Sequence, residues 1–360
     1  MALPAQMQAA VYRGPDQVSL ESVPVPALED GEVLVRVAAC GVCGTDIKKV
    51  QHGLVEAPRI FGHETAGTIV ATQGAVDGWS EGDRVSVYHH VPDRDSWYGR
   101  RRLYAQCPQY RKTGVTAGFE PAGGGYAEYV RVMPWIVRDG GLTAVPDGVP
   151  LERAAMVEPV NTCLKAVRML GIREGDLVLV SGLGSIGLIL MQLAIREGAE
   201  VIGSDLLPGR RNRAVALGAV DAIDPTHDDL VESCRELAGG RGADHALIAA
   251  PGEAPVVQAI AATRPGATIL LFANTKRGED ATLDLGALCV DEKRVVGSYS
   301  ASVDLAEETA RIVFDREIEL DELITHRFPL ASTADAIAMA ATPGDHVGKV
   351  VVVQDGALDG

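Results

Sequence analysis

Cysteine is scarce in this chain. Six residues in 360 are too few for a disulfide scaffold and are in keeping with a reducing cytoplasm. Long apolar runs are missing as well: the longest, over residues 188–195, is interrupted by Gln192, so no membrane span is expected. The opening Met1-Ala-Leu-Pro-Ala-Gln6 has neither a basic region nor a sustained apolar stretch, and no secretory signal is expected. Basic charge is in deficit, with 33 Lys and Arg against 49 Asp and Glu and a net charge of −16. Such an excess opposes binding to a phosphate backbone and favours a small-molecule partner over nucleic acid. The short run Arg100-Arg101-Arg102 does not reverse it and reads as a solvated loop face. Internal repeats and low-complexity tracts are absent too. The composition that remains, 47% hydrophobic and 23% charged, is that of a soluble globular protein. The length suits two domains, each with its own core.

Residues 7–130 read as short strands between glycine and proline turns. Val33, Val35 and Val37 alternate with Leu34 and Arg36, which predicts a half-buried strand at period two. Similar runs at 67–70, 84–88 and 126–132 complete a β-rich first segment. The pattern then changes. Residues 152–170 read as one helix, and Leu177-Val178-Leu179-Val180 as a strand buried on both sheet faces. Further strands are expected at 200–204, 246–250, 267–272 and 294–297, with helices between them such as 186–197 and 228–237. Alternating strands and helices imply right-handed crossovers and a parallel sheet. A helix at 305–314 and a last strand at 349–353 follow.

Ser181-Gly182-Leu183-Gly184-Ser185-Ile186-Gly187 follows the apolar strand directly and opens a helix. A lone G-x-G-x-x-G is weak in a chain with 40 glycines, but the strand-turn-helix setting gives it a mechanism. Gly182 permits the tight turn, Gly184 lets backbone approach a pyrophosphate, and Gly187 lets helix pack closely on strand. The helix N-terminus then offers free N–H groups and partial positive charge to the phosphates. Asp205 lies 23 positions after Gly182, where a carboxylate accepts hydrogen bonds from the adenosine ribose. A carboxylate there repels a ribose 2′-phosphate and favours NAD over NADP, a preference that Arg210 and Arg211 stand close enough to soften.

Two earlier motifs carry the chemistry. Cys43 lies in Cys40-Gly41-Val42-Cys43-Gly44-Thr45-Asp46, and twenty residues later comes Gly62-His63-Glu64-Thr65-Ala66-Gly67. Thiolate, imidazole and carboxylate form the mixed ligand set that suits zinc. Gly41, Gly44, Gly62 and Gly67 bracket both places, as expected where backbone turns sharply beside a metal.

In this order the motifs resemble the zinc-dependent medium-chain alcohol and polyol dehydrogenases, in their sorbitol- and threonine-type branch. The resemblance runs from about Met7 to Val353, nearly the whole chain. It implies an α/β protein: a GroES-like β-rich catalytic domain at 1–157, to which 298–360 returns, and a Rossmann doubly wound parallel-sheet domain at 158–297. It implies Cys43, His63 and Glu64 as zinc ligands, with Glu158 of Glu158-Pro159-Val160 supplying a fourth group directly or through water. By composition alone Glu158 reads as an ordinary N-terminal helix carboxylate. The resemblance also makes Thr45 the first member of a proton relay, sets Arg210 near the adenosine, and sets Phe272 and Ser298 near the nicotinamide. One zinc, NAD, a secondary alcohol or its ketone as substrate, and a homo-oligomer (dimer or tetramer) are what it implies for partners.

The chain departs from the family in two places. Where relatives usually carry a histidine five residues after the cysteine, it has Lys48, which leaves the outer end of the relay open. His52 nearby either compensates or is an exposed loop residue. His89 and His90 either line the substrate cleft or are structural. In the lobe where relatives hold a second zinc with four cysteines, three positions are Asp93, Ser96 and Gly99, and only Cys107 remains. One thiolate cannot close a tetrahedral site, so the lobe is expected to be ordered by packing of Trp97, Tyr98 and Tyr104. Asp93 and Asp95 offer hard oxygen ligands instead. The leading expectation is a dehydrogenase of polyols, sugars or related alcohols. A threonine-type amino-alcohol dehydrogenase, a carbonyl reductase and a non-catalytic nucleotide-binding protein are the alternatives.

Overall fold

The computed structural model describes residues 3–89, 91–108, 123–273 and 278–354. The chain divides into two compact units, one of Met1–Asn161, Ala301–Pro343 and Val347–Gly360, the other of Thr162–Ser300 and Gly344–His346.

The first unit is built on antiparallel strands: β1 (Gln6–Gly14), β2 (Gln17–Pro24), β3 (Glu32–Gly41), β4 (Arg59–Ile60), β5 (Glu64–Gln73), β6 (Arg84–Val87), β7 (Tyr129–Val132) and β8 (Leu142–Ala144). Two strands of the returning tail join them, β15 (Ile324–Pro329) and β16 (Lys349–Val353). A three-stranded sheet has the order β2-β1-β4, and a second runs β15-β16-β3-β5-β6-β8, with β7 also paired to β3. β3 is the hub of that sheet. The alternation seen in its sequence does not leave one face in water: Val33, Leu34, Val35 and Val37 are all buried, and within the strand only Arg36 is exposed. Partner strands β5, β7 and β16 flank it and the short helix Leu151–Ala154 packs on it, so its second face is covered too.

The helix expected over 152–170 is broken. Leu151–Ala154 ends at a turn, and a new helix runs Val157–Leu170. Pro159 supplies the reason, because it has no N–H and its ring would meet the carbonyl of Ala155 in a continuous helix. Arg153, fully buried, ties the first segment to the tail. Its Nε donates to the Val313 carbonyl at 2.6 Å, its Nη2 to the Ile318 carbonyl at 3.1 Å, and its Nη1 to Asp321 at 2.7 Å. The tail also holds elements its sequence did not announce, β15 and the alanine-rich helix Thr333–Ala341.

The lobe at 91–108 is ordered differently from expectation. Tyr104 is buried, but Trp97 and Tyr98 are exposed, at 54% and 37%. Asp304 of the tail does the work instead, accepting from Arg94 Nη1 at 3.1 Å and from the Tyr104 hydroxyl at 2.7 Å. Ser96 closes a turn, donating to the Asp93 carbonyl at 2.7 Å and accepting from Gly99 N–H at 2.9 Å. Trp97 stacks under the Arg101 guanidinium, 3.9 Å away, which holds it at the surface.

The second unit is a six-stranded parallel sheet of β9 (Leu177–Ser181), β10 (Glu200–Ser204), β11 (Asp221–Ile223), β12 (Ala243–Ile248), β13 (Thr263–Leu271) and β14 (Arg294–Gly297). Its order, β11-β10-β9-β12-β13-β14, reverses direction between β9 and β12. The crevice at the carboxyl ends of the strands at such a switch point is where this architecture takes ligands. All five residues of β9 are buried, as its unbroken apolar run required.

Arg153→Met should lower the unfolding free energy by about 3 kcal/mol, since two buried carbonyls and a charge-assisted contact lose their donor. Urea denaturation reads this directly, and an unchanged midpoint would count against the role given to Arg153.

Candidate active site and cofactor site

Sheet register brings the chemical motifs together. Across β3 and β5, Gly41 faces Glu64 and Cys40 faces Thr65, so the loop leaving β3 meets the residue entering β5. Gly41 is needed there, because a Cβ would overlap the Glu64 carboxylate. Cys43 caps the helix Gly44–His52, while His63 and Glu64 are buried. One ligand atom from each of Cys43, His63 and Glu64 lies within 4.8 Å of the others, the one such trio among the described residues. Thr45 Oγ1 is 2.8 Å from Cys43 Sγ.

Glu158, near the start of the helix Val157–Leu170, is buried with Oε1 3.7 Å from His89 Nδ1. Burial pushes its carboxyl up to about 7, a shift that His63 opposes and Glu64 reinforces. His89 is buried and packs edge-on against His63 with ring centroids 5.0 Å apart. Lys48 is half-buried on the helix after Cys43, and His52 is exposed in its last turn. His90 lies outside the described residues.

Two buried residues at this site escaped sequence reasoning. Asp46 lies 3.4 Å from His63 Nδ1 through one oxygen, while the other accepts from the Tyr126 hydroxyl at 3.0 Å and from Cys43 N–H at 3.4 Å. Its signal was a carboxylate three residues after Cys43, the spacing of a helix-capping side chain. Lys349 opens β16, forms an ion pair with Glu64 and donates to the Val42 carbonyl at 3.0 Å. No local pattern marks it, since only the pairing of β16 with β3 carries it there.

The second unit presents the glycine-rich turn as expected. Gly182 has φ of +91°, a conformation L side chains rarely adopt, and a Cβ on Gly187 would overlap the Gly182 carbonyl. Gly184 caps the helix Ser185–Arg196, so Ser185 and Ile186 stand in its first turn, where N–H groups are free for an anion. Asp205 is buried, taking Leu183 N–H at 2.7 Å on one oxygen and Leu207 N–H at 2.9 Å on the other. Arg210 Nη1 is 3.6 Å from Asp205. Phe272 N–H donates to the Ile248 carbonyl at 3.0 Å and Ser298 N–H to the Leu271 carbonyl at 3.1 Å, which sets both at the carboxyl ends of the strands. The Ser298 hydroxyl is buried without a hydrogen-bond partner.

Residues 29–139 match the family described as Alcohol dehydrogenase GroES-like domain, and residues 185–315 the family described as Zinc-binding dehydrogenase. YphC, a zinc-type alcohol dehydrogenase-like protein of Escherichia coli, is 31% identical over 360 residues, covering 96% of this chain and 98% of that protein. The chain belongs to the zinc-dependent medium-chain alcohol and polyol dehydrogenases. Sorbitol dehydrogenase of Bacillus subtilis is 27% identical over 356 residues, covering 97% of this chain and 98% of the relative. A zinc-binding dehydrogenase of Sinorhizobium meliloti, solved bound to NADP, superposes with a TM-score of 0.88 at 27% identity, covering 97% of this chain and all of that one. As a member of this family the protein is an oxidoreductase acting on CH–OH donors, with a catalytic zinc and a nicotinamide cofactor.

The residues present fit a cation at the first site. Burial would by itself keep His63 neutral, but the charges of Asp46 and Cys43 more than offset it and hold the imidazole well above its ordinary pKa. A place that draws a proton so strongly is one where a metal finds negative potential ready. With Nδ1 turned to Asp46, Nε2 of His63 is left for a metal, the usual carboxylate–histidine arrangement. Asp46→Asn should therefore weaken zinc retention by about 10–100-fold. Competition against a coloured chelator measures it, and retention equal to the unsubstituted protein would remove Asp46 from the site.

Proposed function

We propose that this dehydrogenase oxidises a secondary alcohol flanked by another hydroxyl, in a polyol or sugar, to the ketone, with NAD as hydride acceptor and one zinc per chain. The observation that carries this reading is the convergence of half-buried Cys43 with buried His63 and Glu64, with Glu158 close by. A soft, a borderline and a hard ligand together suit zinc, and three protein ligands leave a position open for substrate. Zinc supplies a Lewis acid for the alcohol oxygen. The chain's own residues do the rest. Thr45, its hydroxyl beside the Cys43 sulfur, relays the alcohol proton, accepting it as its own hydroxyl proton moves on toward the cofactor ribose, and Lys48 stands where the family usually passes that proton to solvent. Asp46 fixes the His63 ring, and Lys349 offsets the charge of Glu64.

Glu158 in its Glu-Pro setting, the lost lobe cysteines and the sorbitol dehydrogenase relative support a polyol. Asp205 supports NAD, although the Sinorhizobium meliloti relative binds NADP. In this reading 1–157 and 298–360 form the catalytic domain and 158–297 the nucleotide domain. The sparseness of cysteine, six in 360 residues, supports a cytoplasmic setting.

The test is a scan of NAD and NADP reduction over polyols, sugars, simple alcohols and threonine, with Cys43→Ser as control. Highest kcat/KM with a polyol or sugar and NAD is expected, together with a zinc ratio near one and no turnover in Cys43→Ser. A preference for an unbranched primary alcohol, or full activity in verified metal-free protein, would sink the proposal.

The reading includes a homo-oligomer, dimer or tetramer. β14 is an edge strand with Val295 and Val296 only half-buried, and beside it Leu285 and Val290 are 73% and 82% exposed. An unpaired edge flanked by apolar side chains favours pairing with a second copy. Light scattering should return a multiple of the chain mass, and a single-chain mass at micromolar concentration would rule this out.

A further inference from the structure

The two arginines after β10 have divided partners, which bears on cofactor choice; the inference rests on the nicotinamide-cofactor reading above. Arg210 lies against the phosphate turn: a methyl group on Gly184 would sit 3.7 Å from its Nη1, which is also 3.6 Å from an Asp205 carboxylate oxygen. Arg211 is drawn toward the end of β11. Its Nη1 donates to the backbone carbonyl of Asp205 at 2.7 Å and to Asp224 Oδ2 at 3.3 Å.

Asp224 is itself held in place. Its Oδ1 accepts from Thr226 N–H at 3.0 Å and from the Thr226 hydroxyl at 2.6 Å, and its own N–H donates to Asp228 at 2.8 Å. His227 Nδ1 lies 3.4 Å from Oδ2. The Thr226 hydrogen bonds bring the Asp224 carboxyl down to about 2, so it is ionised wherever the enzyme is folded and working. Oδ2 is thus a fixed negative anchor for a guanidinium.

An adenosine 2′-phosphate needs a cation where Asp205 now offers a carboxylate. Arg210 is engaged with Asp205 and the phosphate turn. Arg211 is the next cation along the chain, already bonded to the backbone of the residue that carries that carboxylate. We propose that Asp224 is a specificity-determining residue that keeps Arg211 away from the ribose 2′ position. Discrimination against the 2′-phosphate then rests on two carboxylates, Asp205 acting by repulsion and Asp224 by restraint. Removing Asp205 alone leaves Arg211 tethered, so much of the barrier persists.

Equilibrium titration with AMP and with 2′,5′-ADP separates the effects. The double variant Asp205→Ser/Asp224→Asn should gain about tenfold more affinity for 2′,5′-ADP than the product of the two single gains, as residues sharing a partner couple. That surplus should vanish when Arg211→Leu is added. Gains that merely multiply, or a surplus that survives without Arg211, overturn the proposal. A second measurement does not depend on Asp224 variants. In Asp205→Ser with Asp224 intact, Arg211→Leu should change 2′,5′-ADP affinity by less than about twofold, because the arginine is held elsewhere. A large loss there means Arg211 already reaches the phosphate, and the restraint does not exist. AMP affinity is expected to fall in every variant that carries Asp205→Ser, because the ribose loses its acceptor, and an equal AMP affinity with and without Asp224→Asn shows the turn intact. Failure of the unsubstituted protein to bind AMP or NADH would instead overturn the cofactor reading underneath.

Discussion

The antiparallel pairing of β3 with β5 decides where the candidate ligands of the first unit meet. Its register sets Gly41 opposite Glu64, and from that point one strand leaves toward Cys43 while the other has just passed His63. A slip of one residue would turn the side chains of either strand to the opposite face and separate the candidate ligands. The register is held because Val33, Val35 and Val37 are buried in the core that β3 shares with its neighbours. β16 adds on the other side of β3 with Val351 opposite Gly41, which brings Lys349 to the same place. Core packing and site assembly are therefore the same constraint.

The charges at this site compensate one another locally. Asp46, Glu64, Glu158, His63 and Lys349 are all nearly excluded from water, where an isolated ion is costly. Glu64 has Lys349, Asp46 has His63 and the Tyr126 hydroxyl, and Glu158 has His89 nearby. Burial alone would leave Lys349 neutral, but the carboxylate of Glu64 and the sulfur of Cys43 raise it above its ordinary value. Cys43 and His63, two of the three candidate cation ligands, lie among these groups. This network also explains the clustering of glycine here: the backbone at Gly41 and Gly62 must yield space to the Glu64 carboxylate and to Cys40 and Tyr126.

The tail is attached by polar side chains rather than by apolar packing alone. Arg153 binds two carbonyls of the tail and Asp321, and Asp304 gathers Arg94 and Tyr104 from the lobe. Asn161 donates to the Tyr88 and Thr309 hydroxyls at 3.1 and 3.0 Å and accepts Ser302 N–H at 2.7 Å. Each is a multiply satisfied hub, and buried groups of that kind specify a single arrangement because any other leaves donors or acceptors unpaired.

Local sequence by itself determined the elements whose chemistry is local. The run Leu177–Ser181 had to be a buried strand, the glycines at 182, 184 and 187 had to form a tight turn into a helix, and Asp205 had to end the next strand. The Cys43 and His63-Glu64 motifs were legible because ligand chemistry and turn glycines occur together within a few residues. Other features waited on tertiary structure. Lys349 meets Glu64 only through sheet pairing, Asp304 organises the lobe from far along the chain, and Asp224 meets Arg211 only because β11 lies beside β10. The exposure of Trp97 and the second buried face of β3 were decided the same way. Periodicity records which face of an element is apolar, but which distant side chain arrives to neutralise a buried charge depends on how the sheets close, and no local pattern encodes that.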